Sequence, residues 1–249
     1  MNKISVIIIA KNEAENIVEC ILSAQQISND IIIADSGSTD NTQVLVLQNG
    51  GKLLNLTWQG YGHTRNEAAK IAVNNWIFAL DADERITEKL AQDINNLLLN
   101  NTNAVFGCKR ENFLAAKKIQ YGEWGRDKIY RLYNRQYASW DLMLVHETVI
   151  GNNIEKILLN GSVLHYTMKD MAEYQTKSIL YAKLSAKKYF ENGKKASIIK
   201  RFISPIFSFI QNYIFRFGFL DGKEGFIIAY TSAIYNFNKY KFLSALLHK

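Results

Sequence analysis

The run Ile4-Ser-Val-Ile-Ile-Ile-Ala10 decides the fold class, because it is almost continuously apolar and rich in β-branched side chains. Such a run is typical of a strand that is buried on both faces of a parallel sheet. Lys11-Asn12-Glu13 follows at once and places polar side chains where this strand ends. The segment has no small-residue cleavage site, so we expect a first strand here and not a secretory signal.

The same arrangement recurs three times before residue 85. Strands are predicted at 31–34, 53–58 and 76–80, and segments with helical spacing lie at 13–26, about 39–49 and 63–75. This alternation predicts a doubly wound, mostly parallel α/β sheet flanked by helices. Ligands of such sheets bind at the carboxyl ends of the strands. Glu13, Asp35, Asp81 and Asp83 all follow strand ends, so we expect them along one rim.

The pattern changes after residue 104. Short strands are predicted at 106–110, 128–133 and 157–165, a helix at 170–191, and apolar-aromatic stretches with Lys and Arg at 196–217 and 225–247. We therefore predict a sheet domain over residues 1–168 and a helical, basic and aromatic extension over 169–249. Cys20 and Cys108 lie in apolar segments without metal-ligand spacing, which predicts buried free thiols.

Positive charge is concentrated in the extension. The net charge is +7, and residues 183–249 contain twelve Lys or Arg but three Asp or Glu. The longest uncharged piece, Phe202–Phe215, has 14 residues, fewer than the roughly 20 that span a bilayer. Basic flanks around such a piece favour a helix in the interface of a membrane with anionic lipid. The alternative is a pair of core helices that pack on the sheet domain or on a second subunit. Long aliphatic runs and the lack of a recognition motif argue against nucleic-acid binding.

Asp81-Ala82-Asp83 is the main candidate for a site. Two carboxylates that flank a small residue after a strand can face one pocket. Mg²⁺ and Mn²⁺ prefer oxygen ligands and take one or two carboxylates together with substrate phosphates. The pair therefore suits a metal bound to a diphosphate, although the tripeptide alone also fits solvated acids that cap a helix near Thr87.

Two further elements belong to the same predicted rim. Asp35 precedes Ser36-Gly37-Ser38, and its carboxylate can accept from a base N–H or a ribose hydroxyl, or cap the next helix. Arg65-Asn66 can donate to a base or a diphosphate, and the alternative for Arg65 is a surface arginine.

Four motifs occur in order and at fitting spacing: Ser5-Val-Ile-Ile-Ile-Ala-Lys-Asn-Glu13, Ile33-Ala-Asp-Ser-Gly-Ser-Thr-Asp40, Thr64-Arg-Asn66 and Ala79-Leu-Asp-Ala-Asp-Glu84. Together they resemble family 2 glycosyltransferases, the inverting nucleotide-sugar enzymes of GT-A fold. The resemblance implies a donor half over residues 1–104 and an acceptor half over 105–168. It also implies that Asp35 holds the base, that Asp81 contacts the ribose or the metal, and that Asp83 ligates a Mg²⁺ or Mn²⁺ ion. Glu13, Arg65 and Asn66 complete the donor site.

Motifs in the second half are similar to the lipopolysaccharide core β-glucosyltransferase group of that family. They are Gly122-Glu-Trp-Gly125, Asp127, Arg131-Leu-Tyr133, Val145-His-Glu147, His165-Tyr166 and Leu220-Asp-Gly-Lys-Glu-Gly-Phe226, with Leu144-Val145 where that group usually has a proline before its His-Glu pair. The resemblance implies a lipid-linked saccharide as the acceptor.

Inversion requires a general base that takes the proton of the acceptor hydroxyl. We predict Glu147 for this role, with His146 as a helper or second candidate; the alternative for Glu147 is an ordinary surface acid. His165 either completes the metal site or is a core histidine. Trp124, Arg126 and Asp127 are predicted acceptor contacts, although Trp124 equally fits a packed core residue.

The sequence thus predicts a metal-dependent hexosyltransferase that uses a UDP-sugar. We expect it in the cytoplasm, peripheral on the inner face of the bacterial inner membrane. Two rivals share the donor site. One is a polyprenyl-phosphate sugar synthase, whose phosphate acceptor needs no strong base, and the other is a catalytically silent sugar-nucleotide-binding protein at the membrane.

Overall fold

A computed structural model describes residues 2–143, 147–168, 171–195 and 197–247. The strands are β1 Ile4–Ala10, β2 Asp30–Asp35, β3 Lys52–Asn55, β4 Trp76–Asp81, β5 Glu84–Ile86, β6 Ala104–Leu114, β7 Lys117–Lys118, β8 Lys128–Asn134, β9 Ala138–Trp140, β10 Val149–Gly151 and β11 Glu155–Met168. The helices are α1 Ile17–Ala24, α2 Thr42–Gln48, α3 Tyr61–Lys70, α4 Glu88–Asn95, α5 Met171–Glu191, α6 Ile198–Ile210 and α7 Gly222–Leu247. Short 3₁₀ turns lie at Trp124–Arg126 and Gly218–Asp221, and a π-helical turn at Gln211–Phe215.

Most strands of the described residues form one mixed sheet. Its order is β3-β2-β1-β4-β8-β6-β11-β5, with β7 beside β6, while β9 and β10 form a separate pair. β1 pairs in parallel with β2 and β4, and β2 with β3, whereas β4–β8, β6–β8 and β5–β11 are antiparallel. The predicted α/β fold class is confirmed. The parallel part of the sheet comprises β1 to β4, and the later strands pair antiparallel.

The apolar runs of the first half form strands because both faces of the sheet are covered. Side chains of a strand alternate between faces, so Val6 packs with Ile17 of α1 on one side. Ile7 packs with Ala68 of α3 on the other side. β1 is almost entirely buried, as its continuous apolar run predicts.

The strand register brings two acidic strand ends to the same rim. Ala10 of β1 lies opposite Asp35 of β2, and Ile9 lies opposite Asp81 of β4. Because neighbouring strands are about 4.8 Å apart, the two aspartates flank the end of β1 at a separation of about 10 Å. The predicted common rim is therefore confirmed for these two residues.

The chain divides into two compact units. One comprises Met1–Arg110 and Lys128–His165, and the other comprises Glu111–Asp127 and Tyr166–Lys249. The second unit combines the chain from Tyr166 onward with segment 111–127, which groups with the helices and not with the sheet. The reason lies in a buried carboxylate: Asp221 accepts from the backbone N–H groups of Gln120 (3.2 Å) and Tyr121 (2.9 Å). Lys117 also pairs with Glu224 at 2.7 Å.

Three smaller expectations have clear outcomes. The strand predicted at 53–58 is shorter, since β3 ends at Asn55 and the Leu56 N–H then donates to the Asp35 carbonyl. Cys20 and Cys108 are free and buried, as predicted. Within the part of the chain that the structure describes, the helices are too short or too polar to cross a membrane.

Candidate active site

Asp35 ends β2 as a fully buried carboxylate with one oxygen unused. Its Oδ1 accepts from the backbone N–H groups of Gly37 (2.9 Å) and Ser38 (2.8 Å) and from Nε2 of Gln43 (3.0 Å). Oδ2 is buried and has no hydrogen-bond partner among the described residues. Burial alone would raise the pKa of Asp35, but these hydrogen bonds outweigh it and lower the pKa. Asp35 therefore offers a charged acceptor oxygen to a bound molecule.

Asp81 ends β4 between two arginines. Its Oδ1 accepts from Nη2 of Arg65 at 2.6 Å and its Oδ2 from Nη2 of Arg131 at 2.8 Å. Burial would raise the pKa of Asp81, but the charges of Arg131 and Arg65 hold it well below its ordinary value. Guanidinium groups thus bond to both carboxylate oxygens of Asp81, and its role as a metal ligand and ribose contact stays a prediction.

Arg65 links Asp81 to the predicted general base. It lies on α3, is 1% exposed, and donates through Nη1 to Oε1 of Glu147 at 2.5 Å. Its guanidinium stacks 4.4 Å above the ring of Trp140. Both terminal nitrogens of Arg65 thus bind carboxylates, and its predicted contact with the donor stays a prediction.

A second buried pair supports the first. Glu84 is fully buried, and its Oε2 accepts from Nη1 of Arg131 (2.6 Å) and from the backbone N–H of Asp81 (2.9 Å). Arg110 Nη1 lies 3.5 Å from the other oxygen. Burial and the nearby Asp81 raise the pKa of Glu84, although Arg131 opposes this. Burial would lower the pKa of Arg131, but the carboxylates of Asp81 and Glu84 outweigh this effect and raise the pKa above its ordinary value.

Arg131 is the functional residue that the sequence predictions omitted from the site. The signal was present, because an arginine stands in the middle of an otherwise apolar strand beside Leu132 and Tyr133. A charge at such a position is almost never buried unless it is paired.

Asp83 and His165, two of the predicted metal ligands, lie close together. Nε2 of His165 is 3.4 Å from Oδ2 of Asp83, and their side chains are 12% and 20% exposed. The pairing of β5 with β11 brings them together, since His165 lies opposite Glu84. Within the described residues, no group of three or more His, Cys, Asp or Glu side chains is arranged to hold a metal ion. Two protein ligands still fit a cation such as Mn²⁺ that takes its other ligands from phosphate and water.

Two further residues predicted to contact the donor, Asn66 and Glu13, bind neighbouring residues of the chain. The amide of Asn66 donates to the Trp140 carbonyl (2.8 Å) and accepts from the Trp140 N–H (2.9 Å). These bonds fix α3 against β9, where Gly62 is so close that a Cβ would lie 1.9 Å from the Asp141 carbonyl oxygen. Glu13 accepts from Nδ2 of Asn16 at 2.9 Å. His146, the second candidate base, lies outside the described residues.

The three predicted acceptor contacts belong to the other compact unit. Trp124 is half-buried and packs edge-to-face on Tyr174 with 5.1 Å between the ring centroids, and its acceptor role stays a prediction. Nδ2 of Asn112 donates to the Trp124 carbonyl at 2.9 Å and lies 3.3 Å from Oδ2 of Asp127. Arg126 is exposed. An acceptor role for Arg126 and Asp127 stays a prediction.

Several known proteins are similar to this chain in sequence. The family model Glycosyl transferase family 2 matches residues 5–155. The lipopolysaccharide core biosynthesis glycosyltransferase LpsC of Rhizobium meliloti is 31% identical over 242 residues, which cover 94% of this chain and 89% of the relative. An uncharacterized glycosyltransferase of Rickettsia felis is 30% identical and covers 99% of this chain and 90% of its own length.

Solved structures give weaker likenesses. S. aureus TarS in complex with UDP has a TM-score of 0.49 at 14% identity, covering 99% of this chain and 91% of that one. Glucosyl-3-phosphoglycerate synthase from Mycobacterium tuberculosis, in complex with Mn²⁺, UDP and glucosyl-3-phosphoglycerate, has a TM-score of 0.47 at 15% identity, with coverages of 78% of this chain and 81% of that one.

Proposed function

Because this chain belongs to glycosyl transferase family 2, we propose that it moves a hexose, with inversion, from a UDP-sugar to a lipid-linked saccharide of the lipopolysaccharide core type. The relative LpsC supports this acceptor class, since its name places it in lipopolysaccharide core biosynthesis. The observation that carries the proposal is the chain of contacts from Asp81 through Arg65 to Glu147. It joins a candidate base to the rim where the parallel strands end.

Asp35 provides the contact to the nucleobase in this proposal. Its buried Oδ2 has no hydrogen-bond partner in the described part of the chain and its charge is stabilised by neighbouring N–H groups. An unpaired buried acceptor is costly, so a ligand N–H there is favourable. The imide N–H of uracil is a donor of the required kind.

Asp83 and His165 are the residues that would hold a divalent cation, which would neutralise charge on the leaving diphosphate. Their oxygen and nitrogen atoms already lie within 3.4 Å of each other. Asp81, whose oxygens bind Arg65 and Arg131, would instead help to set the charge and geometry of the rim.

Glu147 is the general base in this proposal. The acceptor hydroxyl oxygen bonds to the anomeric carbon while the bond from that carbon to the diphosphate breaks, and UDP leaves with the bonding electrons. Glu147 takes the hydroxyl proton. Arg65 binds its Oε1 and fixes the carboxylate, while Oε2 has no hydrogen-bond partner among the residues described. A carboxylate that is fixed by an ion pair and has one oxygen available can accept a proton at a defined position.

UDP release, screened over several UDP-sugars with purified lipid-core acceptors, tests the proposal. Glu147→Gln should lower kcat by about 10²- to 10⁴-fold, the range of a lost general base. The matched control is Glu155→Gln, an exposed carboxylate at the start of β11, which should keep wild-type turnover. Near-full activity of Glu147→Gln would contradict the mechanism and favour a phosphate acceptor. Donor binding without turnover in any pairing would favour a silent sugar-nucleotide-binding protein.

A further inference from the structure

Helix α6 turns its apolar side outward. Six large aliphatic or aromatic side chains on it are between 56% and 78% exposed: Ile198, Ile199, Phe202, Ile203, Ile206 and Phe207. Their spacing of three to four residues places them along one side of the helix. The exposed side of this helix is therefore a continuous apolar stripe.

The packed side of the same helix is the more polar one. Arg201, Ser204 and Ser208 are half-buried. The guanidinium of Arg201 lies 4.8 Å above the ring of Phe237 on α7. A helix on the surface of a soluble protein normally buries its apolar side and exposes its polar side. The half-buried residues of α6 also include Pro205, Phe209 and Ile210, but its exposed residues are apolar except for Lys200. The outer side is therefore suited to an apolar environment.

The turn that follows α6 continues this exposure. Ile214, Phe215, Phe217, Phe219 and Leu220 are between 44% and 68% exposed. Phe217 has a φ of 59°, a left-handed conformation that bulky residues rarely adopt. Close packing holds the turn in place, since a Cβ on Gly225 would lie 1.8 Å from the carbonyl oxygen of Gly218. The aromatic side chains are thus exposed by a fixed backbone.

Charge identifies the partner. Residues 192–220 contain five Lys or Arg, at 194, 195, 200, 201 and 216, and no Asp or Glu. A second copy of this chain would bring the same positive charges together, which is unfavourable, whereas anionic lipid headgroups complement them. Contiguous apolar surface with basic neighbours matches a helix that lies in a membrane interface.

We propose that residues 198–220, the α6 surface, dock on a membrane that carries anionic lipid, with the apolar side chains in the headgroup region and the exposed Lys200 on lipid phosphates. The helix would lie along the membrane, because 13 residues span only about 20 Å. This docking does not depend on sugar transfer, and it would keep the enzyme at the surface where a lipid-linked acceptor resides.

Sedimentation with vesicles tests the docking. The full chain should bind vesicles of phosphatidylcholine with about one third phosphatidylglycerol at least about tenfold more strongly than pure phosphatidylcholine, and high salt should reduce the difference. Ile203→Ser with Phe207→Ser, both 59% exposed, should lower binding about tenfold or more. The matched control, Val73→Ser with Leu98→Ser, changes residues that are 70% and 82% exposed in the sheet unit and should bind as wild type.

Three results would overturn the proposal. One is a wild-type chain that stays in the supernatant with anionic vesicles, and another is equal binding by the double variant. The third is that the wild-type chain forms a dimer in light scattering, the double variant is a monomer, and neither of the two binds lipid. The surface would then be a subunit interface. Circular dichroism melting checks that the double variant is folded. A separate variant, Lys200→Glu, should weaken binding to the anionic vesicles but not to pure phosphatidylcholine. UDP release onto a water-soluble acceptor should not change in any of these variants, so failure of docking and failure of sugar transfer remain distinguishable.

Discussion

Replacing Arg65 with methionine removes the cation that joins Asp81 to Glu147. Methionine keeps an unbranched side chain over the Trp140 ring but donates no hydrogen bonds. Asp81 keeps its bond from Arg131, whereas Glu147 loses its ion-pair partner. The variant should therefore lose stability and also lose the orientation of the proposed base.

The size of the stability loss follows from burial. Removal of one partner from a buried ion pair costs about 3–5 kcal/mol. The side chain of Arg65 is 2% exposed, but those of Asp81 and Glu147 are 23% and 15% exposed. Water can reach both carboxylates, so the lower end, about 3 kcal/mol, applies. For a chain of this length, that corresponds to a fall in Tm of about 6–12 °C.

Urea unfolding and steady-state UDP release measure the two effects. Arg65→Lys should recover part of the stability but little of the turnover, because one ammonium cannot make both bonds in the same geometry. Lys70→Met on the same helix, at a side chain that is 67% exposed, is the matched control and should change neither quantity. In a double-mutant cycle, Arg65→Met and Glu147→Gln should be less than additive. Wild-type stability and kcat in Arg65→Met, or full additivity in the cycle, would refute the assigned contacts.

Three further predictions follow from other parts of the structure. Residues that only hydrogen-bond to a metal ligand already change metal affinity by about 10- to 100-fold. Asp83→Asn should therefore weaken Mn²⁺ binding in the presence of UDP by at least about tenfold in calorimetry. Equal affinity would exclude Asp83 as a ligand. Burial would raise the pKa of Asp30, but hydrogen bonds from Lys52 and Ser5 lower it. A lowered folded pKa gives stability that is present above the unfolded value of about 3.9 and is lost as the pH falls. The unfolding free energy of Asp30→Asn should thus fall less steeply than that of wild type below about pH 5, and parallel curves would contradict the assignment. Burial raises the pKa of Cys108 to about 12, and Cys20 is fully buried, so neither thiol should react with a thiol reagent until the protein unfolds; fast reaction of the native protein would refute this.

Local sequence patterns predicted the first half of the fold well. β1, β2 and β4 are apolar runs that end in polar residues, and the period of the pattern specifies which backbone segments are buried. Because parallel strands share one rim, the positions of Asp35 and Asp81 followed from the strand ends alone. The family prediction, which used these same motifs, is confirmed by the match over residues 5–155.

The partners of these carboxylates could not be predicted in the same way. Arg65 and Glu147 are 82 residues apart in sequence, and Arg131 and Asp81 are 50 residues apart. Their contacts depend on how β8 and the segment before β10 lie beside β4, which no local pattern specifies. For this reason, the sequence predicted the acidic rim but not the ion pairs that Arg65 and Arg131 make there.

The second unit shows a related limit. Segment 111–127 has the composition of an aromatic loop, yet Asp221 binds its backbone from about a hundred residues away. The apolar pattern of α6 predicted a helix correctly. It left open whether that helix packs in a core or lies on a surface, because the direction of an apolar stripe depends on the neighbouring elements.

The anomeric configuration of the product shows whether the sugar is transferred by a single displacement. With an active pair of UDP-sugar and acceptor, proton NMR of the new glycosidic linkage reports whether the anomeric carbon has inverted. We predict inversion from the α-linked donor to a β-linked product in the wild-type enzyme, because a single displacement with Glu147 as base reverses the configuration once. Retention of the α configuration would contradict it, since that outcome requires a different path at the anomeric carbon.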